Sequence, residues 1–338
     1  MSTQKGSGYA ALAVGQELEP FEYTLPMLRE NELRVQVTHC GLCHTDIQAI
    51  DDYYGITTFP FVPGHEIVGF VSETGKEVTG FREGDRVGIG WQARSCGKCE
   101  WCLRGIPRMC EQVENNTVMV PYGGFSNSVV ADQRFVYSLP DGMPSETAAV
   151  LLCAGLSVFS PLQTLLQEPG LTVAVSGIGG LGHLALQFAH QMGCDLTAIS
   201  TSPGKKEQAL AFGADHFIDS ADRSAMQTAH FSFDLLICTA NNTVDLGALL
   251  KTLKRQGRLI LLGFPDVDFN STDLVAHELT ISGSLLGDPP TMRAMLDFAS
   301  DHQISPMIEQ MTMSRVNEAI RRVRENKARY RIVLANQS

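Results

Sequence analysis

Positive charge is scarce in this 338-residue sequence: 26 Lys and Arg face 37 Asp and Glu, a net charge of −11. Phosphate-backbone binding needs clustered cations, so no nucleic-acid partner is expected. No run of 18 apolar residues occurs, so neither a transmembrane helix nor a membrane partner is expected. The opening MSTQKGSGYAALAVG has no sustained apolar core after its lysine, which argues against a secretory leader and for the cytoplasm. Gly (31) and Pro (15) stand at ordinary totals, which excludes collagen-like and low-complexity classes. Internal repeats and Gly/Ser linkers are also missing. Cysteine, by contrast, is plentiful. Nine cysteines without a leader read as reduced thiols used for metal or chemistry, not as disulfides.

A soft prior of roughly 150 residues per domain suggests two domains. Residues 8–150 are β-rich, with short stretches such as Leu33–His39 and Ile67–Glu73 broken by Gly, Pro and Asp turns. Gly80–Val87 reads as a turn feeding another strand, and this half as a barrel-like or sandwich-like β domain. From about residue 150, strands alternate with helices: a strand at Leu171–Ser176, a helix at Leu181–Met192, a strand at Asp195–Ser200 and a helix at Lys205–Phe212. Further strands are predicted at Leu235–Cys238, Arg258–Leu262 and Thr280–Ser284. Such alternation implies an α/β, doubly wound parallel sheet over 151–288. The tail holds a helical stretch, Met292–Ser300, and a last strand, Arg331–Leu334.

Gly177-Ile178-Gly179-Gly180-Leu181-Gly182 matches G-x-G-x-x-G between a predicted strand and a predicted helix. In that setting Gly177 allows a tight turn, Gly179 lets backbone approach a pyrophosphate, and Gly182 lets helix and strand pack closely. About 20 residues later, where NAD binders carry Asp or Glu for the ribose 2′-hydroxyl, stand Ser200, Thr201 and Ser202, then Lys205 and Lys206. Hydroxyls and ammonium groups suit a 2′-phosphate, so NADP(H) is the expected cofactor. Solvated lysines at a helix start are the plain alternative.

Cys96, Cys99, Cys102 and Cys110 place four thiols within fifteen residues. Four thiolates close a tetrahedral shell around a structural Zn²⁺. An iron–sulfur cluster fits less well, because the last gap is seven residues and Glu111, not Pro, follows Cys110. A second set is dispersed: Cys43, His65 with Glu66, and Cys153. Two sulfurs and one imidazole would leave a fourth position open, as a catalytic zinc requires, but spacing alone does not bring these residues together.

In this order, Gly41-Leu42-Cys43-His44-Thr45-Asp46, Pro63-Gly64-His65-Glu66, Val87-Gly88-Ile89-Gly90-Trp91, the cysteine tetrad, Cys153, the glycine turn and Lys327-Ala328-Arg329-Tyr330-Arg331 form a pattern. It resembles the zinc-dependent medium-chain dehydrogenases/reductases, and within them the cinnamyl-alcohol-dehydrogenase branch with its bacterial broad-range NADPH-dependent aldehyde reductases. The resemblance spans the chain. It implies a GroES-like catalytic domain of residues 1–150, completed by 289–338 and bearing both zinc sites, a Rossmann domain of 151–288 binding NADP, an active site in the cleft and a homodimer. Cys43, His65 and Cys153 would hold the catalytic zinc, with Glu66 able to take the fourth position. Asp46 would orient His65, Thr45 would exchange the substrate proton, and His44 would lie near the cofactor phosphates. Thr201 and Lys206, with Ser200 and Ser202 beside them, would meet the 2′-phosphate, and Trp91 would line the pocket for an aldehyde or alcohol. Many relatives carry His five residues after the first zinc cysteine as the end of a proton relay. Gln48 stands there, and its amide cannot take up a proton near neutral pH. The implied reaction is hydride transfer between NADP(H) and aldehydes or primary alcohols, mainly aldehyde reduction. A zinc-free quinone reductase would lack the cysteines, and a zinc-ribbon binding protein would lack the glycine turn.

Overall fold

Glu32–Leu42, rich in Val and Leu and buried along most of its length, is the strand on which the β-rich part is assembled. It pairs antiparallel with Glu66–Thr74, with Ser128–Asp132 and with Arg331–Ala335 from the far end of the chain. The full sheet runs Ile308–Thr312, Arg331–Ala335, Glu32–Leu42, Glu66–Thr74, Arg86–Ile89, Val136–Ser138, with Ser128–Asp132 beside Glu32–Leu42. Leu33, Val35, Val37, Ile67, Val71, Val87, Ile89, Phe125, Ile332 and Leu334 fill its core. The computed structural model describes residues 5–116, 122–166, 170–241 and 244–336.

The second part is a six-stranded parallel sheet in the spatial order His216–Asp219, Asp195–Ser200, Thr172–Ser176, Phe233–Cys238, Leu253–Leu261, Thr280–Gly283. Counted along the chain this is 3-2-1-4-5-6, the doubly wound order whose chain reversal lies beside the first strand. Val173, Val175, Leu236 and Ile237 are fully buried, as expected for parallel strands covered on both faces.

The chain divides into two compact units, residues 1–153 with 288–300 and 306–338, and residues 154–287 with 301–305. Assigning all of 289–338 to the β-rich part therefore differs at 301–305. Ser305 N donates to Gln187 Oε1 and Gln187 Nε2 donates to Ser305 O, which ties this turn to the helix after the glycine turn. Several elements were absent from the sequence reading, three of them in the β-rich unit with evident reasons. Helix His44–Ile50 is only seven residues long, Ile308–Thr312 is a short strand made mostly of polar residues, and helix Val316–Arg324 buries just Val316, Ala319 and Ile320. The helical stretch Ser145–Leu165 is long and apolar enough to cross a membrane by length and composition, although polar residues interrupt it. Of its most apolar window 72% is buried, the pattern of a core helix.

Candidate functional site

The Cys43–Asp46 segment starts a helix because Asp46 stands three residues past the cap, where its Oδ2 accepts from Cys43 N at 2.9 Å. The same carboxylate, fully buried, accepts on Oδ1 from Gly64 N at 3.1 Å and from His65 Nδ1 at 2.7 Å. With Nδ1–H given to Asp46, the lone pair of His65 sits on Nε2, which lies 3.3 Å from Cys153 Sγ. Cys153 is carried by a π-helical turn, Leu151–Gly155, in the middle of Ser145–Leu165, a distortion frequent at functional positions. One ligand atom from each of Cys43, His65, Glu66 and Cys153 lies within 4.8 Å of the others.

The electrostatics suit a cation. The Cys153 thiol bonded to Cys43 draws Cys43 well below the ordinary thiol range and is itself pushed well above it. Burial works to lower the His65 imidazole, but the Asp46 carboxylate and the Cys43 sulfur together hold the ring well above its usual value. Burial raises Glu66 to about 7, against the pull of Arg331. Glu66 Oε1 accepts from Arg331 Nη2, while Glu66 Oε2 is buried with no hydrogen-bond partner among the described residues. Gly41 makes room for that carboxylate, since a Cβ there would overlap Glu66 Oε2. Two sulfurs, one imidazole nitrogen presented as a lone pair and an orphaned carboxylate oxygen fit a zinc ion.

The other cysteine set lies between the paired strands Gln92–Arg94 and Glu114–Asn115. Its four sulfurs lie within 4.8 Å of one another, and Cys96 Sγ and Cys102 Sγ are 4.0 Å apart. Zn–S bonds of about 2.3 Å in a tetrahedron need sulfurs ~3.8 Å apart, so the set fits a closed four-thiolate site. The backbone N–H groups of Lys98 and Cys99, the latter donating to Cys96 Sγ at 3.3 Å, draw Cys96 down to about 6, while Cys96 N and Gln112 N donate to Cys110 Sγ. None of the nine cysteines is in a disulfide.

In the second unit, Gly177 adopts φ +90° and Thr239 Oγ1 donates to its carbonyl at 2.6 Å. A Cβ at Gly182 would overlap Gly177 O, whereas one at Gly179 would stand in open space with nothing within 4 Å. The turn is thus sealed behind and open in front, beside the half-buried Gly180 and Leu181 at the start of helix Gly182–Gln191, a cradle that fits a pyrophosphate. Ser200 is buried, and its Oγ accepts from Ser202 N at 3.1 Å, so it shapes the loop, while Thr201, Ser202 and Lys206 are exposed. His44 is exposed and Trp91 half-buried.

Two cations had no role in the sequence reading, and a third, Lys205, was read there as suiting a 2′-phosphate. Arg331 pairs with Glu66; Arg134 binds Asp132 and donates to Ser95 O, next to the tetrad; Lys205 Nζ donates to Ile178 O within the glycine turn at 2.7 Å. Lys205 was readable as one of a lysine pair. Arg331 and Arg134 carry no local signal, because the sheet alone brings them there.

A dinucleotide-type parallel sheet and a β unit with two cysteine centres characterise the nucleotide- and metal-dependent dehydrogenases. Residues 29–141 match the alcohol dehydrogenase GroES-like domain and residues 180–301 the zinc-binding dehydrogenase domain. Aldehyde reductase AdhA of Synechocystis sp. is 40% identical over 330 residues, 97% of this chain and 98% of its own. Probable cinnamyl alcohol dehydrogenase 6 of Oryza sativa is 39% identical over 345 residues, 98% of this chain and 96% of its own. Among solved structures, a Sorghum bicolor cinnamyl alcohol dehydrogenase superposes with TM-score 0.94 at 36% identity, covering 98% of both chains. The Helicobacter pylori cinnamyl alcohol dehydrogenase complexed with NADP(H) gives 0.91 at 29% identity, covering 99% of both. The chain belongs to the zinc-dependent medium-chain dehydrogenase/reductase family, in its cinnamyl-alcohol-dehydrogenase branch.

Proposed function

We propose that this enzyme transfers hydride between NADP(H) and aldehydes or primary alcohols, mainly in the direction of aldehyde reduction. The convergence of Cys43, Cys153 and an Asp46-oriented His65 carries the reading. When bound, zinc polarises the substrate oxygen as a Lewis acid and the nicotinamide supplies or accepts the hydride. Cys43, His65 and Cys153 would hold the catalytic ion, and Glu66, whose Oε2 has no hydrogen-bond partner among the described residues, would be the candidate for the fourth position when substrate is absent. Asp46 fixes the tautomer of His65. Thr45 gives a proton to the substrate oxygen in reduction and takes it back in oxidation, with cofactor ribose hydroxyl and water behind it. Cys96, Cys99, Cys102 and Cys110 would hold a second, structural ion, which would contribute folding free energy.

Gly177–Gly182 seats the pyrophosphate, with His44 near the phosphates. Thr201, Ser202 and Lys206 meet the 2′-phosphate, Ser200 shapes their loop, and Trp91 lines the substrate pocket. Residues 1–153 with 288–300 and 306–338 form the catalytic domain, and 154–287 with 301–305 the NADP domain. The enzyme works as a cytoplasmic homodimer, where a reducing environment keeps the nine thiols reduced. The test is initial rates with NADPH and NADH over a panel of aliphatic and aromatic aldehydes. Zinc-dependent reduction with NADPH is expected; an inactive two-zinc protein overturns the reading.

A further inference from the structure

Two pieces of chain bring Trp91 beside the Cys43, His65 and Cys153 ligand set. Strand Arg86–Ile89 runs antiparallel to Glu66–Thr74, with Gly88 opposite Val68 and Ile89 opposite Ile67. Carried two residues past its last pair, that register sets Trp91 level with His65. Gly90, just before it, is pressed against the chain that delivers another ligand. A Cβ there would lie 2.9 Å from Leu152 O, the carbonyl preceding Cys153, and 3.2 Å from Met292 Cε. One residue holds this main chain. Asn116, 1% exposed, donates from its backbone N to Trp91 O at 2.6 Å and from Nδ2 to Gly90 O at 2.9 Å. On the far side of Trp91, Gln92 Nε2 donates to Pro107 O at 3.0 Å.

We propose that Asn116 is a positioning residue for substrate selectivity, its two donors fixing the Gly90–Trp91 main chain and so the attitude of the indole. The inference rests on the place of Trp91 in the substrate pocket given above. A single hydrogen bond would leave the segment free to turn about it, whereas donors on two consecutive carbonyls fix its rotation as well as its height. Rotation matters because an indole is wide and flat, so a small turn of its backbone swings a large apolar face. An aromatic aldehyde gains contact area from that face and needs it correctly set, while a short aliphatic aldehyde gains little from it. Asn116 acts only through Trp91 and moves no proton or hydride, so substrate binding, not the chemical step, depends on it.

Initial rates of NADPH-dependent reduction of benzaldehyde and of propanal test this on the two-zinc enzyme. Asn116→Ala should raise KM for benzaldehyde about tenfold, with kcat and the KM for propanal changed by about twofold or less. Trp91→Ala should act in the same way, and adding Asn116→Ala to it should bring no further loss. Equal rises in KM for both aldehydes, or a full added effect of Asn116→Ala on Trp91→Ala, overturn the role of Asn116 alone. So does a benzaldehyde KM raised by Trp91→Ala but unmoved by Asn116→Ala. Unchanged KM for both aldehydes in Trp91→Ala overturns the pocket reading and the inference with it. A second measurement leaves Asn116 in place. The chain has two tryptophans, Trp91 and Trp101, so Trp101→Phe makes Trp91 the sole emitter. Its fluorescence anisotropy decay should lack the fast rotation of a free side chain, and Asn116→Ala should introduce it. Fast rotation dominating the decay with Asn116 present shows an unheld indole and overturns the proposal, whether or not Asn116→Ala folds.

Discussion

Asp46→Asn is the most informative single change, because it keeps volume and removes one acceptor from a site with three donors. Asp46 Oδ2 accepts from Cys43 N, and Oδ1 from Gly64 N and His65 Nδ1. An amide has one oxygen. If that oxygen stays toward His65 and Gly64, the NH₂ group faces the Cys43 N–H, and two buried donors oppose each other at the start of helix His44–Ile50. If the amide turns, its NH₂ faces His65 Nδ1, which must become the lone-pair nitrogen. The ring proton then moves to Nε2, on the side of Cys153, where a metal ligand needs a lone pair. Loss of a carboxylate that orients a ligating imidazole typically weakens metal binding 10–100-fold, or about 1.4–2.8 kcal/mol. The assay is chelator competition, counting zinc released per chain. The unmodified enzyme should release two zincs, and Asp46→Asn should release one of them at 10–100-fold lower chelator while the tetrad ion is held as before. Identical release curves would show that Asp46 does not set the tautomer of His65, and the orientation argument would fail.

What was legible in the sequence was local. The turn Gly177–Gly182 and the run Cys96–Cys110 carry their geometry in their spacing, since a few residues of chain must close one turn or surround one ion. Cys43, His65 and Cys153 lie far apart along the chain, and only resemblance could join them; the fold places their ligand atoms together through helix His44–Ile50, the edge of Glu66–Thr74 and the π-turn at Cys153. Nothing in the tail marks Arg331 as the partner of Glu66. That pairing exists because Arg331–Ala335 lies antiparallel to Glu32–Leu42, with Val333 opposite Gly41, while Gly41 is also opposite Glu66. Helix His44–Ile50 was hidden for a related reason: its signal is one cap, Asp46, inside a stretch already explained as ligand chemistry.

Three further outcomes are expected. Cys153→Ser should abolish aldehyde reduction and leave a folded chain with one zinc, whereas Cys99→Ser should lose the other zinc and mainly stability; one zinc in the unmodified enzyme would contradict both. Asp234 Oδ2 accepts from Thr172 N, Thr172 Oγ1 and Lys254 Nζ, and although burial acts to raise the carboxyl, these bonds hold it below its ordinary value. Its stabilisation is therefore present above the unfolded pKa of about 3.9 and fades as pH falls through the lower folded value; the gap in melting temperature between wild type and Asp234→Asn should narrow from pH 6 to pH 3, and a constant gap would contradict the assignment. Cofactor choice is the last. No carboxylate stands in Ser200–Lys206 to hold a free ribose, and exposed Thr201 and Lys206 offer a hydroxyl and a charge to a 2′-phosphate. Two charge-assisted hydrogen bonds at about 1.5–3 kcal/mol each predict at least ~10²-fold higher kcat/KM with NADPH than with NADH. Thr201→Asp should reverse that preference by repelling the phosphate and accepting from the ribose, and Lys206→Ala should raise KM for NADPH alone. Equal efficiencies with the two cofactors in the unmodified enzyme would refute it.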